Sequence, residues 1–204
     1  MLQETFILLL TKYSNNHELI NELWLEIEKH YSSKKRYYHT LQHLDNLLMQ
    51  LNKVKTNIQD WDTVLFSLYY HDIIYNALKS DNEEKSAELA INSMQQLAIP
   101  SQMIDACKQQ ILATKSHLVN QQNDTNYFTD ADLSVLGQDW EIYLKYCQNV
   151  RKEYSYYPNL IYNAGRKKVL KHFLAMDRIY KTDYFFNEFE KQAKQNLTNE
   201  LELL

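Results

Sequence analysis

The chain has 204 residues, of which 45% are hydrophobic and 24% charged, a globular composition long enough to bury a core. Its 22 basic and 26 acidic residues leave a formal net charge of -4, against the basic balance of a dedicated nucleic-acid binder. The two glycines, Gly137 and Gly165, stand far apart, which excludes a P-loop and a dinucleotide fingerprint because both need clustered glycines.

Taken in chain order, the apolar spacing predicts helices almost throughout. Phe6, Leu9 and Leu10 make a first stripe. The apolar run Phe6 to Leu10 is too short for an export signal, and no window reaches the ~20 apolar residues of a membrane span, so the expected compartment is the cytoplasm. Leu19, Ile20, Leu23, Leu25, Ile27 and Tyr31 make a second stripe, entered through Ser14-Asn15-Asn16. Leu41, Leu44, Leu47, Leu48 and Leu51 line one face of a third helix. Asp60 is the expected N-cap of a buried central helix from Trp61 to about Tyr75. Asp81 and Glu84 read as a capping box for a helix reaching Leu97, before Pro100. A helix over 102–117, a polar loop over 120–126 and a short helix from Thr129 follow. Three long segments, 138–154, 159–180 and 184–203, finish the chain. No segment alternates as a strand does. The expected class is all-α, one domain over 1–204 with nine or ten helices. Cys107 and Cys147 follow no CxxC spacing and read as reduced thiols. Leu197, Leu201, Leu203 and Leu204 either close the core or form a homodimer contact.

Chemistry concentrates in a few places. His71-Asp72 follows the apolar run Leu65 to Tyr70, and burying such a pair is costly without partners. A divalent cation partners both at once, because imidazole and carboxylate are ligands for Mn, Fe, Co, Ni, Zn or Mg. His39 and His43 lie four residues apart, ~40° around a helix, so either both face one pocket or His43 is a polar histidine outside it. Lys34-Lys35-Arg36 reads as a solvated basic face or as a group that attracts an anionic substrate. Arg166, in Gly165-Arg166-Lys167-Lys168, is either another solvated cation or a bidentate phosphate ligand.

In order along the chain, YYHTLQHL, LYYHDIIY, SDNEEKSA, ILATKSH, FTDADLSVLG and GRKKVLKHFL resemble the HD superfamily of metal-dependent phosphohydrolases. The closer resemblance is to a subgroup of small predicted HD phosphohydrolases of about this length, and it covers residues 31 to 190. It implies an all-helical fold and His39, His71, Asp72 and Asp132 as metal ligands. Asp130, the first acid of the DxD, is then an orienting residue behind the ligand or a helix cap.

The resemblance also implies hydrolysis of a phosphate ester or anhydride of a small molecule, a nucleotide among the candidates, by a water activated on one divalent ion. Asp72, Glu84, Lys115 and His117 are the candidates for base and charge-stabilising work. Tyr38, His43 and Arg166 are the candidates for substrate contact. Neither a nucleic-acid polymer nor a membrane is expected as a partner. The alternative is an HD-fold protein that binds metal or nucleotide, or acts as a scaffold, without turnover.

Overall fold

The computed structural model describes residues 1–204 and is helical throughout, with ten α-helices, two short 3-10 segments and no strand. In order the helices are α1 (Leu2–Leu10), α2 (His17–Tyr31), α3 (Leu41–Lys53), α4 (Trp61–Tyr70), α5 (Asn82–Gln96), α6 (Ser101–Ala113), α7 (Asn123–Asp132), α8 (Trp140–Glu153), α9 (Asn159–Leu174) and α10 (Asp183–Leu203). The 3-10 segments are Lys55–Asn57 and Leu133–Gly137. The all-α class is as expected. No helix is long and apolar enough to cross a membrane. The chain forms two compact units, Met1–Thr129 and Asp130–Leu204, and the division falls inside α7.

The first unit is built on α4. Every residue from Thr63 to Tyr70 is buried, so α4 needs partners on all sides and finds them in α1, α3, α5 and α6. Asp60 caps it as predicted, accepting from the Thr63 N–H at 3.0 Å and the Thr63 hydroxyl at 2.6 Å. Ser67, polar and fully buried, reaches Gln110 of α6 at 2.7 Å. On α1, Phe6 packs edge-on to Tyr69 at 4.8 Å, and the Tyr69 hydroxyl donates to the Leu2 carbonyl at 2.8 Å. Burial pushes the Cys107 thiol on α6 up to about 12, which leaves it unreactive near neutral pH.

Several helix ends and one cap differ from the sequence reading, among them α6, which stops at Ala113 where 117 was expected. The central helix stops at Tyr70, because the chain from His71 turns its next carbonyls toward Arg36. No capping box forms at α5: Asp81 pairs with Lys85 at 2.8 Å and Glu84 with Lys115. The helix placed from Thr129 begins at Asn123, so Asp130 and Asp132 close α7 where an opening was expected. The long helix over 159–180 ends at Leu174.

The second unit takes up that last difference. The irregular chain after α9 gives its main-chain N–H groups to two buried carboxylates. Glu190 accepts from Ile179 at 3.0 Å and Tyr180 at 3.1 Å. Asp130 accepts from Lys181 at 3.0 Å, Thr182 at 2.7 Å and the Thr182 hydroxyl at 2.8 Å. A second buried network joins α9 to α10: the Arg166 guanidinium forks onto Glu200 at 2.8 Å through both Nε and Nη2. Tyr143 and Cys147 of α8 also donate to Glu200. Burial raises the Glu200 carboxyl, but the Arg166 hydrogen bonds and charge outweigh it and hold the group below the ordinary carboxylate range. Gly137 sits against α10, where an added Cβ would meet the Phe189 Cβ at 2.5 Å and its carbonyl at 2.6 Å. Of the C-terminal leucines, Leu197 is buried in this unit and Leu203 is exposed.

Gly137→Ala must push α10 outward and is expected to cost about 1–3 kcal/mol in urea unfolding. For Glu200 the folded carboxyl lies below its unfolded value. Its contribution is therefore full above the unfolded range, about pH 4.3, and is lost as pH falls through the lowered folded value. Glu200→Gln, which strands Arg166, is expected to cost about 3–5 kcal/mol at pH 7 and to flatten the acid limb of stability against pH. An unchanged acid limb would show that Glu200 does not carry it.

Candidate metal centre

His39 lies in the bend before α3, His43 in the first turn of α3, and His71 caps the C-terminus of α4 with Asp72 next. The His71 side chain is set by the main chain. The His71 Nδ1 lies 3.0 Å from the Leu68 carbonyl. A carbonyl only accepts, so Nδ1 carries the hydrogen and the neutral ring keeps its lone pair on Nε2. That Nε2 faces the His43 Nε2 at 3.1 Å and the Asp72 Oδ2 at 3.1 Å. The same Asp72 oxygen stands 3.7 Å from the His43 Nε2 and 3.9 Å from the His39 Nε2. One carboxylate oxygen thus faces three imidazole nitrogens. His71 is 1% exposed and His43 4%, whereas the side chains of His39 and Asp72 are 18% and 19% exposed, so the cluster has a closed side and an open one.

Aromatic rings wall the cluster. Tyr75 stacks on His39 at 4.0 Å, Tyr38 meets both His39 and His43 at 5.0 Å, and Phe128 is edge-on to His71 at 5.7 Å. Low-polarity walls strengthen electrostatic interactions inside them.

Arg36 corrects the sequence reading of a solvated basic face. It is buried, and its guanidinium donates to the His39 carbonyl at 3.2 Å, the Asp72 carbonyl at 2.7 Å and the Ile73 carbonyl at 2.6 Å. It lies 4.8 Å over the Tyr31 ring, and the Tyr31 hydroxyl accepts from the Asp72 N–H at 3.3 Å. Ser86 of α5 holds the next residue by accepting from the Ile74 N–H at 3.1 Å and donating to its carbonyl at 3.3 Å. Sequence reasoning missed Arg36 because its neighbours Lys34 and Lys35 are exposed and three cations in a row carry no sign of which one turns inward. Tyr31 and Tyr75, which sandwich it, were the available signal.

The remaining predicted residues fall as follows. Asp132 ends α7 and belongs to the second unit. Asp130 neither opens a helix nor caps one; it anchors the main chain at Lys181 and Thr182. Glu84 and Lys115 form an exposed ion pair, and Lys115 also donates to the Ser80 carbonyl at 2.8 Å. That hydrogen bond from Lys115 holds the Glu84 carboxyl below the ordinary range, which weakens it as a base. His117 follows α6 with a left-handed φ of 52°, its N–H on the Ala113 carbonyl at 2.9 Å. Arg166 is buried on Glu200 and its fork is occupied there.

The donor set of neutral imidazoles and carboxylate suits a divalent metal ion. The hydrogen bond from His71 Nδ1 to a main-chain carbonyl is the kind of support that orients a metal-binding histidine. Comparison with protein-family models, with curated proteins and with solved structures found no match.

Arg36→Lys keeps the charge but loses the planar fork. It is expected to weaken divalent-metal binding by about 10–100-fold, measured by calorimetric titration with Mn²⁺ or Co²⁺ on protein that is folded by circular dichroism. Wild-type affinity in that variant would show that the clamp does not position the donors.

Proposed function

We propose that this chain is a metal-dependent phosphohydrolase acting on a phosphate ester or anhydride of a small molecule, with nucleotides the first class to test. The observation that carries the reading is the convergence of His39, His43 and His71 on one oxygen of Asp72, closed on one side and open on the other. In this reading His71 and Asp72 hold one divalent ion together with imidazole from the His39–His43 segment, and Asp132 is the further ligand that the sequence resemblance implies. The ion, when bound, supplies a Lewis acid that lowers the pKa of a bound water toward neutrality and offsets charge on phosphoryl oxygens.

The chain's own residues divide the rest of the work. The Leu68 carbonyl keeps the His71 lone pair aimed inward. The Asp72 carboxylate orients a water by accepting its hydrogen, and the exposed edges of His39 and Asp72 give a phosphate access. Tyr38 walls the approach beside both α3-side histidines. With Glu84 committed to Lys115 and Arg166 to Glu200, proton handling falls to Asp72 and the histidines. The resemblance to HD phosphohydrolases in the order of His39, His71-Asp72 and Asp132 supports the same reading.

The engagement of Glu84 and Arg166 also favours a second reading, a protein that binds metal and nucleotide without turnover. The two separate in one experiment. Protein purified without added metal is analysed for metal content, then supplied with Mn²⁺ or Mg²⁺ and screened for phosphate release from p-nitrophenyl phosphate and nucleoside mono-, di- and triphosphates, beside Asp72→Ala. The phosphohydrolase reading expects about one equivalent of metal in the wild type and a drop in phosphate release of about 100-fold or more in the variant. Nucleotide binding with no phosphate released would leave the binding protein as the function.

A further inference from the structure

We propose that the outer face of α9, with the turn that leads into it from α8, docks on an anionic membrane. An apolar tip enters the headgroup layer and the lysines behind it meet the lipid anions. The proposal lies within the second unit and is independent of the metal centre.

The sequence concentrates positive charge in this stretch. From Ile142 to Met176 the sole acid is Glu153, while lysine and arginine recur throughout, in a chain whose net charge is -4. Glu153 is buried, so the exposed surface here has no carboxylate of its own. Such asymmetry within an acidic chain marks a surface for an anionic partner.

α9 turns Arg166 and Leu170 inward and leaves two neighbouring rows outside. One row is Leu160, Ala164, Lys167 and Lys171, and the other is Ile161, Gly165, Lys168 and His172. Each keeps the four- and three-residue spacing of one helix face. Both rows are apolar in their first half and cationic in their second. Leu160 is 84% exposed and Ile161 57%, and Tyr156 in the preceding turn is 65% exposed. A Cβ added at Gly165 would meet nothing within 4 Å, so the chain itself leaves the middle of the face uncovered. Lys167, Lys168 and Lys171 form no ion pair within the chain.

The spacing suits a bilayer. With the N-terminal end of α9 directed at the membrane, Lys167 stands about 10 Å behind Leu160 along the axis, at a rise of about 1.5 Å per residue. An apolar helix face sinks about 5–10 Å into the boundary of headgroups and acyl chains. Leu160 and Ile161 reach that depth with the three lysines still at headgroup level. The tip is also preformed. Arg151 donates to the Tyr154 carbonyl at 2.8 Å, the Tyr157 carbonyl at 3.0 Å and the Asn159 Oδ1 at 2.7 Å, and lies 4.6 Å over the Tyr162 ring. A preformed tip loses little conformational entropy on docking. The same contacts disfavour a single-stranded nucleic acid, which stacks on free rings. The Tyr154 ring packs on Tyr157 at 6.1 Å and on Tyr162 at 5.9 Å, and the most exposed group of the tip is the aliphatic Leu160.

The test mixes the full chain with vesicles of phosphatidylcholine alone and of phosphatidylcholine with phosphatidylserine at about 3:1, and measures bound protein by co-sedimentation. Binding to the mixed vesicles is expected to be about 10-fold or more tighter and to weaken as salt rises. Replacing Lys167, Lys168 and Lys171 together by glutamine is expected to lower it about 100-fold. Leu160→Ser with Ile161→Ser is expected to lower it about 10-fold or more. All five side chains lie outside the core, and circular dichroism checks that both variants fold. Absence of binding to the mixed vesicles, equal binding to both vesicle types, or wild-type binding by either variant would overturn the proposal. Tighter binding to a single-stranded oligonucleotide or to polyglutamate than to the mixed vesicles would overturn it as well, and would assign the lysines to that partner.

Discussion

The Arg36 guanidinium bonds three main-chain carbonyls, His39, Asp72 and Ile73, and the placement of the donor cluster depends on that clamp. Where α4 ends, its last carbonyls and those of the following turn lose their helical partners. Left buried without hydrogen bonds, each would cost about 1–3 kcal/mol. Arg36 supplies donors to two of them and to the chain just before α3. The start of α3 and the end of α4 are thereby fixed beside each other. His39 and His43 arrive from one side, and His71 and Asp72 from the other. Arginine does this where lysine would not, because one rigid planar group presents several N–H donors at once and stays charged at any working pH.

The second unit applies a related rule with the charge reversed. Its irregular stretch over 175–182 would bury main-chain N–H groups without acceptors, and Asp130 and Glu190 provide carboxylate oxygens for them. Arg166 and Glu200 are buried as a pair, with Tyr143 and Cys147 donating to the same carboxylate, so neither charge is left alone. The residue that sequence reasoning assigned to a phosphate is therefore part of what joins α9 to α10. A buried bidentate ion pair and a phosphate site call for the same residue type, and a single sequence does not distinguish them.

What was legible in the sequence is what local chemistry decides. Helical spacing predicted nine or ten helices and placed most of the ten, α7 excepted, and the Asp60 cap sits where the sequence puts it because its partner Thr63 is three residues away. What was not legible depends on partners distant in sequence. The end of α4 at Tyr70 is set by Arg36, and the missing capping box at Glu84 by Lys115. For the candidate site, the sequence marked His39, His43, His71 and Asp72, which the structure brings together. It read His39 and His43 as four residues apart on one helix, whereas His39 lies in the bend before α3 and only His43 is on the helix.

The bond from the Tyr69 hydroxyl to the Leu2 carbonyl, with the ring of Phe6 against that of Tyr69, also bears on how the chain is made. Translation adds about 5–20 residues each second, so the apolar face of α1 waits several seconds on the ribosome before residue 69 exists to cover it. Trp24, 5.9 Å from Phe6 in the finished fold, arrives much earlier. Pairing of α1 with α2 therefore shields Phe6 in the nascent chain, and the later arrival of Tyr69 on α4 completes its burial.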